Sequence, residues 1–221
     1  MLANFSVAEE NYIKSIYHLQ QLANEVSTNA LAHHLNTAAA SVTDMLKKLQ
    51  AKNLLIYNPY KGFKLSKEGN KAALMIIRRH RLWEFFLVDK LQFSWEEVHE
   101  VAEELEHVRS VKLVDRLETF LNYPKFDPHG DPIPDSNGKI SEVVQLPLSQ
   151  LPLHKQAVIT SVQDQSSELL SFLSSQNIII GITLEIKRRL PFDNSVEIKF
   201  KNRQTINISE QVANAIHVNP L

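Results

Sequence analysis

His99, Glu103, Glu106 and His107 recur at spacings of three and four within VHEVAEELEHV (98–108). Placed on a helix and counted from Leu105, the apolar Val98, Val101, Ala102 and Val108 fall within about 60° of it, and the four polar residues fall between about 100° and 200°. Carboxylates and a neutral imidazole at i, i+3 and i+4 can converge on one divalent cation, and that donor set suits Mn²⁺ or Fe²⁺. The competing reading is a solvated acidic face, because Glu96, Glu97, Glu100 and Glu104 lie among these residues. A second pair, His80 and Glu84, stands at i, i+4 in RRHRLWEFF, flanked by Leu82, Trp83, Phe85 and Phe86. His80 is there either a ligand or a core histidine bonded to Glu84.

The elements that must position these residues are helical up to about residue 122, with apolar residues at spacings of three and four and few glycines. One interruption, LLIYNPYKGFKLS (54–66), reads as a hairpin turning at Pro59-Tyr60-Lys61-Gly62. Residues 123–139 hold Pro124, Pro128, Pro132 and Pro134 with Gly130 and Gly138, so no regular element crosses them. Short strands follow at 157–163, 182–190, 195–201 and 204–209, with one helical insert, SSELLSFLSS. The expected fold class is mainly α with a small C-terminal β-barrel.

Upstream, VSTNALAHHLNTAAASVTDMLKKLQAKNLL places two helices, Asn29 to Leu35 after Thr28 as N-cap and Ala38 to Lys52 after Thr37, joined by a turn at Asn36. Helix, short turn, helix and hairpin is the order of a winged helix-turn-helix, whose second helix enters the major groove of duplex DNA. Between 37 and 67 six lysines, Lys47, Lys48, Lys52, Lys61, Lys64 and Lys67, oppose Asp44 alone. Val42, Met45, Leu46 and Leu49 face the core, which turns Ser41, Thr43, Asp44, Lys47 and Lys48 toward the groove, with Tyr60 and Lys61 on the wing. A Lys-rich solvated face is the plain alternative for the helix alone; the wing and the cap-turn-cap spacing favour DNA.

Composition narrows the chemistry. With 24 Lys and Arg against 25 Asp and Glu, DNA binding must rest on this local basic patch. The absence of cysteine excludes disulfides, thiolate zinc sites and thiol catalysis. No basic start with an apolar run opens the chain and no apolar stretch reaches about 18 residues, so a cytoplasmic protein without a membrane span is expected.

The segments EENYIKSIYHL, SVTDMLKKLQAKNLLIYNPYKGFKLSKEG, RRHRLWEFFL, VHEVAEELEHV and FDPHGDPIP, in this order, resemble the diphtheria toxin repressor and manganese transport regulator family of metal-dependent repressors. The resemblance implies a winged helix-turn-helix domain (1–70), a helical metal-binding and dimerisation domain (71–140) and an SH3-like, FeoA-like domain (147–221). It implies a homodimeric transcriptional repressor, not an enzyme, that binds palindromic DNA operators when loaded with Mn²⁺, or Fe²⁺ as second choice, and controls metal homeostasis genes. Its ligands would be Asn11, Glu103, Glu106 and His107 at a primary site and His80, Glu84 and His99 at an adjacent one, with Asp164, Gln165 or Glu168 as additions from the SH3-like domain. Glu103 stands where iron-type relatives carry Cys, which favours manganese. Asn11 stands where relatives carry Asp or Met. Lys14 replaces a second carboxylate of the manganese type, which argues for two separate sites.

Two other classes compete. A winged-helix regulator answering to a non-metal effector would leave the histidines structural. A di-iron carboxylate enzyme is echoed by Glu96-x-x-His99 and Glu104-x-x-His107, but both pairs lie on one helix, where such centres draw them from separate helices.

Overall fold

Ser6 opens the first helix, α1 (Val7–Leu22), through a capping box: its hydroxyl accepts the Glu9 N–H while the Glu9 carboxylate accepts the Ser6 N–H. The computed structural model describes residues 5–59, 61–163, 165–200 and 205–221, and the chain divides into two units. The first comprises Met1–His80, Glu104–Val111 and Pro134–Ile140.

In this unit α2 (Thr28–His34) and α3 (Ala39–Ala51) form the helix-turn-helix. Asn36, at φ 47°, makes the turn between them, a conformation that asparagine tolerates better than most residues. The caps stand one residue away from the expected threonines. Ser27 accepts from the Ala30 N–H at 3.1 Å, and Ala38 starts α3 with no side-chain cap. Val42 and Leu49 are buried on the inner face of α3 beside Ile13, Ile16 and Leu31, with Met45 and Leu46 packed against them. Strands β1 (Leu55–Asn58) and β2 (Gly62–Leu65) pair antiparallel as the wing, Asn58 opposite Gly62. Val26 and Phe63 exchange both backbone hydrogen bonds, at 2.9 and 3.0 Å. That close approach requires Gly62: at φ +126° an added Cβ would lie 2.4 Å from the Val26 carbonyl oxygen.

Helix α4 (Lys67–Leu91) starts in the first unit and continues into the second, which comprises Arg81–Glu103, Lys112–Ile133 and Ser141–Leu221. There Leu82 packs with Val114, Leu117 and Leu121, residues of α6 (Val111–Phe120) and its end. Helix α5 (Val98–Leu105) precedes it. The C-terminal sheet has the order β3-β8-β4-β5-β6-β7, all neighbours antiparallel: β3 (Leu146–Pro147), β4 (Gln156–Val162), β5 (Thr183–Arg189), β6 (Val196–Phe200), β7 (Ile206–Ile208) and β8 (Ile216–Pro220). Helices α7 (Ser167–Ser175) and α8 (Glu210–Ala215) contribute Leu170, Leu173 and Ala213 to its core. The closed barrel expected from the strand spacing is, among the described residues, an open sheet with β3 and β7 at its edges. Register shifts between Ile159 and Ser161 and between Ile186 and Arg188 interrupt the ladders, as bulges that coil a sheet do.

Candidate metal centre and nucleic-acid interface

The first unit gathers charge around the turn that follows α5. The helix ends at Leu105, so Glu106 and His107 leave it and do not share a helical face with Glu103. Glu106 is wholly buried rather than part of a solvated acidic face. Its carboxylate takes the Lys14 Nζ at 2.8 Å on both oxygens and the His80 Nδ1 at 2.7 Å. Burial alone would raise the Glu106 carboxyl, but the His80 hydrogen bond and the Lys14 charge outweigh it and hold the group below its ordinary range. His107 Nδ1 lies 2.7 Å from a carboxylate oxygen of Glu10. Arg79 donates to Glu10 at 2.9 Å and, through Nε, to the Glu106 carbonyl at 2.6 Å. Asn11, the ligand expected from α1, is half-buried beside Glu10; Glu10 and Lys14, one turn apart, make the α1 contacts just described.

The second unit builds a different cluster around Glu84, which is also wholly buried. On one side His99 Nδ1 lies 3.3 Å from Glu84 Oε1, and His99 Nε2 lies 3.6 Å from the half-exposed Glu103. On the other stand Asp127 and His129, whose donor atoms and those of Glu84 all come within 4.8 Å of one another. The 126–133 loop aims them. Asp127 Oδ1 accepts the backbone N–H groups of His129 and Asp131, each at 2.9 Å, and Arg81 Nε lies 3.3 Å from Oδ2. Gly130 allows the loop to lie against β4: at φ +84° a Cβ there would stand 1.9 Å from the Thr160 oxygen.

The imidazole of His129 is oriented by its far side. Nε2 lies 2.8 Å from the Trp95 carbonyl, an acceptor only, so Nε2 carries the hydrogen. Nδ1 then faces Glu84 Oε2 at 3.7 Å and makes no hydrogen bond among the described residues. An imidazole fixed in this way presents either a proton or a lone pair to the buried carboxylates, the arrangement that outer-shell carbonyls impose on metal-binding histidines. Complete burial, then the charges of Glu84 and Asp131, push Asp127 up to about 7.

The proposed DNA face is exposed. Ser41, Thr43, Asp44, Lys47 and Lys48 are all on the solvent side of α3, and Lys61 is exposed at the wing. Thr43 Oγ1 bonds back to the Ala39 carbonyl at 2.9 Å, and Lys47 pairs with Asp44 at 3.4 Å. Tyr60 and Asp164 lie outside the described residues. Among the described residues no helix is long and apolar enough to cross a membrane.

Sequence profiles described as "Iron dependent repressor, N-terminal DNA binding domain", "Iron dependent repressor, metal binding and dimerisation domain" and "FeoA domain" match residues 4–63, 66–135 and 146–220. The chain is 33% identical over 125 residues to the iron-dependent repressor IdeR of Mycobacterium bovis, covering 57% of this chain and 54% of that one, so the match spans about half of that relative's length. It is 34% identical over 118 residues to the HTH-type transcriptional regulator MntR of Oceanobacillus iheyensis, covering 53% of this chain and 80% of that regulator. The chain belongs to the family of iron- and manganese-dependent repressors. A solved manganese-dependent transcriptional repressor in complex with manganese shares this repressor fold at a TM-score of 0.88 and 30% identity, over 96% of this chain and all of that one.

The donor chemistry fits the metal that this repressor family implies: two buried carboxylates and an oriented imidazole offer O and N ligands of the kind Mn²⁺ and Fe²⁺ accept. Asp127 and His129 are the residues that helical periodicity missed, because they sit in an irregular loop. The sequence signal for them is FDPHGDPIP, which carries an Asp and a His two apart between helix-breaking prolines.

Proposed function

We propose that this chain is a repressor that binds duplex DNA as a homodimer at palindromic operators and responds to Mn²⁺, with Fe²⁺ as the alternative ion. The ion would be held at Glu84, Asp127 and His129, with His99 on the far side of Glu84. The family resemblance implies Asn11, Glu103, Glu106 and His107 as its primary donor set, and in the first unit Glu106 has His80 Nδ1 at 2.7 Å. The observation that carries the reading is the imidazole of His129, which gives its Nε2 hydrogen to Trp95 and turns Nδ1 to buried carboxylates in a chain that also exposes a lysine-bearing second helix of a helix-turn-helix.

A bound ion would supply positive charge to carboxylates that otherwise repel one another. The chain's own residues do the rest: Trp95 fixes the tautomer, the Asp127 turn fixes the loop, and α3 with the wing meets the DNA. A metal changes DNA affinity only through tighter binding to the DNA-competent arrangement. Selection of duplexes from a random pool in Mn²⁺, followed by anisotropy titrations with and without chelator, tests this. Affinity at least tenfold higher in Mn²⁺, lost in Glu84→Gln and His129→Ala, is expected. Operator binding indifferent to both metal and chelator would refute it and favour a non-metal effector.

A further inference from the structure

The pocket around Glu106 already contains a cation. Lys14 Nζ sits 2.8 Å from Oε1 and 2.8 Å from Oε2, with the Lys14 side chain 11% exposed and Glu106 wholly enclosed. His80 Nδ1 lies 2.7 Å from the same carboxylate and His107 Nε2 lies 3.9 Å from it. The other carboxylate of the pocket, Glu10, takes Arg79 at 2.9 Å and His107 Nδ1 at 2.7 Å. Both acidic groups therefore have partners supplied by the chain itself, and His107, a donor the family resemblance assigns to a metal, has its Nδ1 on Glu10 and its Nε2 toward Glu106.

The Lys14 ammonium lies against both oxygens through which Glu106 would bind a divalent ion. Two cations sharing one carboxylate away from water repel far more strongly than they do in solvent, so the two occupants exclude each other. Leaving Glu106 with neither is also costly, since an uncompensated buried carboxylate is among the most destabilising groups a fold can hold. Lysine suits such a role because its charge rides on a flexible four-carbon stem that can swing to solvent while its methylenes stay packed.

We propose that Lys14 is the resident counter-ion of this pocket. In the metal-free protein its ammonium joins α1 to the turn after α5 through Glu106. A divalent ion reaches Glu106 and His107 only as Lys14 withdraws. This deepens the reading of the chain as a metal-responsive repressor and rests on it: the Glu84, Asp127 and His129 centre fills first, and the Glu106 pocket fills at higher ion concentration because it must expel a tethered cation.

Calorimetric titration of the full chain with MnCl₂ tests the proposal, comparing wild type with Lys14→Met and Lys14→Arg. The methionine variant keeps the stem and loses the charge; its second binding event should tighten at least tenfold, while the arginine variant stays at the wild-type value or weaker. In chelator the methionine variant should melt below wild type, and Mn²⁺ should raise its midpoint more than it raises that of wild type. Should Lys14→Met fail to fold, Lys14→Gln removes the charge while keeping a hydrogen bond to Glu106. A wild type that binds Mn²⁺ at the first centre, with isotherms unmoved by removal of the Lys14 charge, overturns the counter-ion role alone. No Mn²⁺ bound by any variant overturns the metal-responsive reading as well.

Discussion

Lys52, at the C-terminal end of α3, reaches Glu9 in the first turn of α1 at 2.6 Å, with its ammonium also 5.7 Å from the Phe5 ring centre. The end of the proposed recognition helix is thus tied to the residue before Glu10, whose carboxylate holds Arg79 and His107. Lys52 is 40% exposed and Glu9 only 9%, so the pair is partly screened. A double-mutant cycle of Lys52→Met and Glu9→Gln should give a coupling of about 0.5–1 kcal/mol in urea unfolding. A coupling of zero would mean that the contact merely decorates the surface.

The Glu84 centre makes stability depend on pH. Burial and the neighbouring carboxylates raise Asp127 to about 7 from 3.8, so over that interval the folded protein keeps a proton that the unfolded chain has lost. His129 is also raised: burial pulls it down, but the Glu84 carboxylate beside it, the charge of Asp127 and the hydrogen bond to the Trp95 carbonyl prevail. Its contribution is present below 6.5 and is lost as pH passes its folded value. Both effects have the same sign. The melting temperature of chelated protein should fall as pH rises from about 5 to about 8, and Asp127→Asn should flatten the slope. Ligation uses the deprotonated groups, so the Mn²⁺-induced rise in melting temperature should grow across the same interval. Scanning calorimetry in chelator and in Mn²⁺ checks both trends.

Gly130→Ala should be severe for a residue so small. The new methyl would stand 1.9 Å from the Thr160 oxygen and 2.7 Å from the Ser161 Cα, at a positive φ. A loss of about 3 kcal/mol or more is expected, with Mn²⁺ affinity reduced roughly tenfold or beyond because the loop that carries Asp127 and His129 must shift. Denaturant melts and metal titration of the same variant report the two effects separately.

Lys47→Gln and Lys48→Gln change exposed side chains. Each should leave stability within about 0.5 kcal/mol and lower the slope of log K against log salt by about 1 if it contacts a phosphate. Unaltered slopes in both variants would move the DNA surface away from this face of α3.

The helix-turn-helix was legible because its signals are local: apolar spacing, capping residues and an asparagine at the turn. Even there the caps were displaced by one, since Ser27 and Thr28 are both competent and only the fold chooses. The Glu106 pocket was half legible. Its residues stand out by type, but α5 ends at Leu105 before reaching Glu106, and the buried Glu106 finds its counter-charge in Lys14, 92 residues away in sequence. The same holds for β8, whose alternation is cut short by Asn219 and Pro220 although the strand lies between β3 and β4. Asp127 and His129 carry no period at all. Their alignment comes from a proline-bounded turn pressed against β4, a relationship that no window of sequence contains.

That turn is sewn into the C-terminal module. The main-chain oxygen of His129 accepts the Val162 N–H at 3.0 Å, its ring stacks on Trp95 at 6.2 Å, and the Trp95 indole N–H reaches Ser174 on α7 at 2.7 Å. The histidine is thus clamped by a strand on one flank and, through one tryptophan, by a helix on the other. A truncation at residue 140 would delete both jaws, and any drift of β4 against α7 would be felt first as a tilt of one imidazole.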